Sequence, residues 1–101
     1  MWILSKDRTC MINTDTVDSI YSVTTGVRAR FARANKDLTI GEYESKETAK
    51  TAVEMVHESL RVERATFTMP NDEQVRAFQV AMPFKRQRSE TGKKTVRRGG
   101  S

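Results

Sequence analysis

The sequence predicts an α+β fold in which an antiparallel β-meander of about five strands carries one amphipathic helix on one face. Two observations support this prediction. Short apolar runs separated by turn residues occupy the first forty positions, and one of them, 27–31, alternates apolar and basic side chains. An apolar stripe at helical spacing then runs through residues 46–60. A meander of this kind buries one sheet face and leaves the other in water.

Five strands precede the helix in this prediction, and two hairpins connect the first four. The first hairpin turns at Lys6-Asp7-Arg8. The second turns at Thr24-Thr25-Gly26, where the spacing favours a left-handed conformation for the glycine. The five strands span residues 2–4, 9–12, 17–23, 27–31 and 38–40.

The helix follows Ser45, whose hydroxyl can accept a hydrogen bond from a backbone N–H of the first turn. Glu47 places negative charge at the positive end of the helix dipole. The apolar stripe contains Ala49, Ala52, Val53, Val56 and Leu60. A stripe of this width covers one face of a small sheet.

The chain after the helix gives a weaker pattern. Residues 64–69 predict a sixth strand. Residues 75–84 fit a helical face and a strand face equally well, and Pro83 favours the extended form because proline is excluded from helix interiors. Residues 85–101 contain one apolar side chain and predict a disordered tail. The predicted organisation is therefore one domain, 1–84, followed by that tail.

The net charge of +5 is concentrated in the tail. Beyond residue 84, seven basic residues and one acidic residue contribute +6, which leaves −1 for the first 84 residues with their eleven basic and twelve acidic groups. The seven basic residues are Lys85, Arg86, Arg88, Lys93, Lys94, Arg97 and Arg98. Such clusters are typical of arms that bind nucleic acid, and the alternative is a solvated tail that aids solubility.

Composition bounds the compartment and the chemistry. The chain has no apolar run as long as a membrane span, turns polar after its first apolar residues, and has a single cysteine, which together predict a cytoplasmic protein without a membrane partner. Common catalytic motifs are absent, and Cys10 and His57 are the only residues of their types. Both are predicted to be packing residues. We therefore expect a non-enzymatic protein with no cofactor and no metal. A cleft joining Tyr43, Glu44 and His57 would reopen the enzyme class.

Three arginines form the strongest candidate binding group on the predicted domain. Arg28 and Arg30 project from the same face of the fourth strand, about 7 Å apart along it. Arg33 joins them only if the strand bulges or bends. Because guanidinium groups recognise phosphate bidentately, the group predicts a surface for an anionic ligand or partner. The alternative is a water-facing sheet surface that is kept soluble by its charge.

Two segments carry a family resemblance. Residues 1–5, MWILS, and residues 40–49, IGEYESKETA, resemble small proteins of Gram-positive phages, prophages and conjugative elements. Those proteins share a Trp-Ile/Val-Leu-Ser start and a Leu-Gly-x-Tyr-x-[Ser/Thr]-x-Glu-x-Ala motif where the helix begins, and some continue to a Met-Pro like that at 69–70. Lys6 departs from the glutamine of this pattern. The resemblance covers residues 1–70 and implies a mobile-element setting, and it carries over no activity, cofactor or catalytic residue.

Three function classes follow from these observations. The first is a phage or mobile-element binding protein that acts as a counter-defence inhibitor, engaging a host or defence protein or a nucleotide. In one form of it, a homo-oligomer sequesters a nucleotide signal between arginines. The second is a nucleic-acid-binding protein that uses the tail and the strand-four arginines. The third is a structural or assembly component of a phage particle.

Overall fold

Two three-stranded sheets and two helices form the part of the chain that the computed structural model describes, residues 1–81. The strands are β1 (Trp2–Leu4), β2 (Met11–Asn13), β3 (Ser19–Val23), β4 (Gly26–Phe31), β5 (Lys36–Glu42) and β6 (Thr66–Thr68). The helices are α1 (Lys46–Arg61) and α2 (Asp72–Ala81), and short 3-10 turns cover Thr14–Thr16 and Ala32–Ala34. The α+β class is confirmed, while the predicted disordered tail, 85–101, lies outside the described residues.

The predicted single meander is only partly matched, because the strands divide between two sheets. β3, β4 and β5 form an antiparallel sheet in that order, which we call the meander sheet. β1 pairs antiparallel with β2 on one side and parallel with β6 on the other, and we call this the terminal sheet. The parallel pair needs a long crossover, which the meander sheet and α1 together supply. A backbone hydrogen bond of 2.8 Å from the Lys6 N–H to the Ile40 carbonyl links the two sheets.

The core lies between α1 and the inner faces of both sheets. Its buried apolar residues are Ile3, Ile12, Val27, Ala29, Ile40, Tyr43, Ala49, Ala52, Val56, Met69 and Val75. Ser45 caps α1 as predicted, since its hydroxyl accepts from the Thr48 N–H at 3.1 Å. Leu60 was assigned to the buried stripe, but its side chain is 44% exposed. The covered stripe of α1 is therefore narrower than the periodicity indicated.

The extended conformation predicted for residues 75–84 is wrong for 75–81, which belong to α2. A reciprocal capping box starts this helix: the Asn71 side chain accepts from the Gln74 N–H at 2.7 Å, and the Gln74 side chain accepts from the Asn71 N–H at 2.9 Å. Val75 is its buried residue. The helix ends at Ala81, so Pro83 follows it and does not interrupt it.

The turn between β3 and β4 also differs from the prediction. The loop has two residues, Thr24 and Thr25, and it is Thr24 that takes a positive φ of 50°. Gly26 is the first residue of β4 and has no positive φ. A side chain at Gly26 would meet the tip of Glu42, which is long and able to move.

Candidate functional site

In the described part of the chain, no helix packs on one face of the meander sheet, and we call it the open face. Strand pairing places Tyr21, Arg28 and Thr39 in one row across this face. The next row contains Ser19, Arg30 and Asp37. The intervening residues point to the other face, where α1 packs on β3 and β4. The pleat therefore confirms that Arg28 and Arg30 project from one face.

Arg30 is held by neighbours on and beside the open face. One guanidinium nitrogen lies 3.0 Å from Asp37 Oδ2, and the other donates to Asn35 Oδ1 at 3.2 Å. Asn35 can reach it because it ends the 3-10 turn in the left-handed conformation, with φ 52°. Asp37 balances the charge of Arg30, and since both side chains are well exposed the ion pair contributes under about 1 kcal/mol to folding.

Arg28 has no such balance. It is exposed, and within residues 1–81 it forms no salt bridge. It lies directly across from Tyr21, whose hydroxyl donates to Asp37 Oδ1 at 2.8 Å. That hydrogen bond, with the negative charge of Asp37, raises the pKa of Tyr21, although Arg28 acts in the opposite sense. Among the described residues, the face thus presents one guanidinium without a salt-bridge partner, beside a tyrosine whose hydroxyl proton is donated to Asp37.

Arg33 does not belong to these rows. β4 ends at Phe31, and Arg33 lies exposed on the following 3-10 turn. The turn is fixed by Asp18, which accepts from the Ala32 N–H at 2.6 Å. The irregularity in β4 falls instead at Val27/Arg28. The structure therefore brings two of the three predicted arginines together and leaves the third beyond the strand.

A cavity of about 320 Å³ adjoins the open face at Thr39. Its lining residues are Lys6, Asp7, Thr39, Ile40, Gly41 and Glu42. Lys6 is held on one side of it by a salt bridge of 3.1 Å to Asp72, by a hydrogen bond to the Glu42 carbonyl, and by the Tyr43 ring, whose centroid is 4.4 Å from the ammonium. No local pattern in the sequence predicts a role for Lys6, because its partners come from distant parts of the chain.

The Gly-x-Tyr part of the motif that carries the family resemblance connects two segments of the fold. The Tyr43 hydroxyl donates to the Pro70 carbonyl at 2.7 Å. The side chain is buried, and this burial raises the pKa of Tyr43 well above the usual range. Its ring lies against Gly41, where an added Cβ would fall 2.9 Å from a ring carbon. These contacts attach the start of α2 to the start of α1, which gives the Gly-x-Tyr spacing a structural role.

The cluster that would have indicated an enzyme is not assembled. Tyr43 and Glu44 precede α1, whereas His57 lies about 16 Å along the helix axis from the first helical residue, at 1.5 Å per residue. Glu44 is engaged by Arg76, and its backbone N–H by Asp72. No group of three or more His, Cys, Asp or Glu side chains in residues 1–81 is arranged to hold a metal ion.

His57 borders a second cavity, which no sequence pattern predicted. This cavity, about 450 Å³, lies between the β3 edge and the last turns of α1, and we call it the β3 groove. Its lining residues are Thr14, Val17, Asp18, Ser19, Ile20, Val53, Val56, His57 and Leu60. Cys10, by contrast, is half-buried and packs against the core, in line with its predicted packing role.

The predicted nucleic-acid-binding tail, Lys85 to Arg98, lies outside the described residues. No helix within residues 1–81 is long and apolar enough to cross a membrane. Comparison with protein-family models, curated proteins and solved structures finds no match for this chain. The phage resemblance accordingly stays a prediction.

Proposed function

We propose that this chain is a small, non-enzymatic, cytoplasmic binding protein of a phage or mobile element, which engages a host or defence component through an anionic ligand or surface. The observation that supports the proposal is the open face of the meander sheet. There, within residues 1–81, Arg28 forms no salt bridge, and it lies beside an Arg30 that Asp37 and Asn35 hold in place.

The chemistry of this face suits a phosphate or carboxylate group. Arg28 can approach an anion bidentately, and Arg30 lies about 7 Å farther along the strand, close enough to contact the same ligand. Thr39 adds a hydroxyl donor in the row of Arg28, whereas the hydroxyl proton of Tyr21 is donated to Asp37.

Arg28→Gln tests the proposal in the full-length chain. Titration calorimetry with inorganic pyrophosphate should show about a tenfold loss of affinity, since hydrogen bonds to charged groups contribute roughly 1.5–3 kcal/mol each. Lys50→Gln is the matched control, because it removes one exposed positive charge from α1 and leaves the open face intact. Equal affinity of both variants for pyrophosphate, or no binding by the wild-type chain, would reject the open face as an anion site.

A nucleic-acid-binding function is the second candidate, and the charge distribution favours it. The tail contributes +6 to a chain whose first 84 residues carry −1. A single-stranded oligonucleotide could bind the tail alone or the tail together with Arg28 and Arg30. The two candidates differ in which substitution matters: neutralising the tail weakens oligonucleotide binding in one case, and Arg28→Gln weakens pyrophosphate binding in the other.

A further inference from the structure

β3 is an uncovered edge of the meander sheet without the usual protection of edge strands. Its neighbour on one side is β4, and within residues 1–81 no strand pairs with its other side. Its five residues include no proline and no charged side chain, and the bulge of this sheet lies at Val27/Arg28 in the β4–β5 pairing. Natural edge strands commonly carry one of these devices to prevent pairing with another chain.

The backbone groups that this edge presents can be identified from the hairpin. A two-residue turn joins β3 to β4, so Val23 and Gly26 form the hydrogen-bonded pair that closes the ladder. Hydrogen-bonded and non-hydrogen-bonded pairs then alternate along the strand, so the backbone of Tyr21 also hydrogen-bonds to β4. The N–H and C=O groups of Ile20 and Ser22 consequently point away from the sheet, toward an additional strand.

The β3 groove lies beside this free edge. Ile20 and Ser19 line one side of it, and Val53, Val56 and Leu60 of α1 line the other. Leu60 belongs to the apolar stripe of α1 and yet is 44% exposed at this position. A free strand edge and Leu60, the exposed residue of this apolar stripe, thus occupy the same side of the molecule.

We propose that two copies of the chain dimerise through this side, pairing β3 antiparallel with β3 of the partner subunit about a two-fold axis at Tyr21. In this register Ile20 is opposite Ser22 of the partner subunit, and both residues use their outward backbone groups. The two symmetric pairs form four hydrogen bonds. Ser19 is opposite the partner subunit's Val23, so a large side chain meets a small one at each of these positions. The two α1 helices lie antiparallel and cover Leu60.

A second copy is favoured over a different partner because the surface is complementary to itself. An uncharged strand can approach its own copy without like-charge repulsion. β3 and α1 are about 17 Å and 24 Å long, so a contact through both layers buries on the order of 500 Å² per copy. Counted over both copies, the buried area is about 1,000 Å², which is near the lower limit for a specific interface. We therefore expect a dissociation constant in the micromolar range.

The pairing would also join the two open faces into one six-stranded face. Arg28 and its counterpart in the partner subunit then lie three strand spacings apart, about 14 Å. A ligand with two anionic groups could contact both. This consequence rests on the proposed function, whereas the dimer itself does not.

Sedimentation equilibrium of the full-length chain tests the dimer with two pairs of variants. Ser22→Pro removes an outward N–H, and Ser22→Ala keeps it. Leu60→Lys places a charge in the groove, while Val62→Lys places one at an exposed position, 49% accessible, that does not line the groove. We expect a dimer for the wild-type chain, Ser22→Ala and Val62→Lys, and at least tenfold weaker association for the other two. A monomer at about 100 μM, far above a micromolar dissociation constant, would overturn the proposal.

A disulfide tests the register independently of stability. With Cys10 replaced by serine, Tyr21→Cys places two cysteines opposite each other on the two-fold axis in a non-hydrogen-bonded pair. Their Cα atoms would be about 4.5 Å apart, within the range that a disulfide spans. Oxidation should give a covalent dimer in high yield. Thr39→Cys on β5 is the matched control and should stay monomeric on a denaturing gel. An assembly in which the Tyr21→Cys variant does not cross-link, or which withstands both Ser22→Pro and Leu60→Lys, would mean that another surface is used.

Discussion

At the residue scale, the contact between Gly41 and Tyr43 gives the Gly-x-Tyr motif a structural role, and Lys6 packs over the same ring. The Tyr43 ring lies flat enough against Gly41 that an added Cβ would be 2.9–3.2 Å from three of its atoms. Lys6 lies over the ring, 4.4 Å from its centroid, and such a contact contributes about 0.5–1 kcal/mol at partly exposed sites. The φ of Gly41 is not positive, so its backbone conformation does not require glycine. Glycine is required at position 41 because the buried Tyr43 ring approaches it closely.

Gly41→Ala should lower the free energy of unfolding by about 1–3 kcal/mol, the cost of overpacking against a side chain that cannot withdraw. Tyr43 cannot withdraw because its hydroxyl is bonded to the carbonyl of the buried Pro70. Gly26→Ala is the matched control, since its Cβ would meet the movable end of Glu42. Urea unfolding measures both variants at pH 7. Equal losses for the two would contradict the role assigned to the tyrosine ring.

At the element scale, Asp72 joins α2 to the rest of the fold. Its carboxylate accepts from the Glu44 N–H at 3.0 Å and from Lys6 Nζ at 3.1 Å. Partial burial opposes its charge, but these two partners outweigh that effect and hold the pKa of Asp72 below its ordinary value. Stability from this group is therefore complete above the ordinary carboxyl pKa and is lost as the pH falls through the lower pKa of the folded state.

Asp72→Asn should destabilise the chain by about 1 kcal/mol at pH 7, where the carboxylate is charged. The difference from the wild-type chain should shrink between pH 7 and pH 2, because wild-type Asp72 also loses its charge as the pH falls through its lowered pKa. Urea midpoints at the two pH values give the comparison. Glu73→Gln, at the next and exposed position of α2, should change little at either pH. A pH-independent effect of Asp72→Asn would show that charge is not what Asp72 contributes.

At the scale of the whole molecule, the sequence divides its charge unevenly between residues 1–84, which are nearly neutral, and residues 85–101, which are basic. The open face and the β3 groove belong to residues 1–84, whereas most of the positive charge belongs to residues 85–101. The two candidate functions therefore depend on different parts of one chain. Salt dependence distinguishes them, because affinity for a single strand falls with a slope of about −0.7 per neutralised phosphate on logarithmic axes.

Replacing all seven basic tail residues by glutamine should reduce that slope from about −5 to about −1 or less if the tail binds the single strand. Fluorescence anisotropy with a labelled oligonucleotide from 50 to 300 mM NaCl measures it. Pyrophosphate binding, measured in parallel, should be unchanged, since Arg28 and Arg30 are intact in this variant. An unchanged slope would place the oligonucleotide contacts on the folded domain and remove the tail from the binding function.

The features that the sequence determined by itself are those set by near neighbours in the chain. The cap at Ser45, the extent of α1 and the alternation that puts Arg28 and Arg30 on one face were all predictable, because each depends on residues within a few positions. The α+β class followed from the same local patterns. For residues 75–81, near neighbours in the chain did not distinguish a helix from a strand. The reciprocal hydrogen bonds of Asn71 and Gln74 cap the helix, but these two residues are a weak signal in the sequence alone.

Tertiary structure alone decided which distant segments meet. β6 pairs with β1 across more than sixty residues, and Lys6 meets Asp72 across a similar separation, so no local pattern encodes either contact. The same holds for Leu60, whose place on an apolar stripe predicted burial although no described element covers it. Periodicity shows which side chains share a face, but the packing of other elements determines how much of that face is covered, and this is why the β3 groove was visible only in the folded chain.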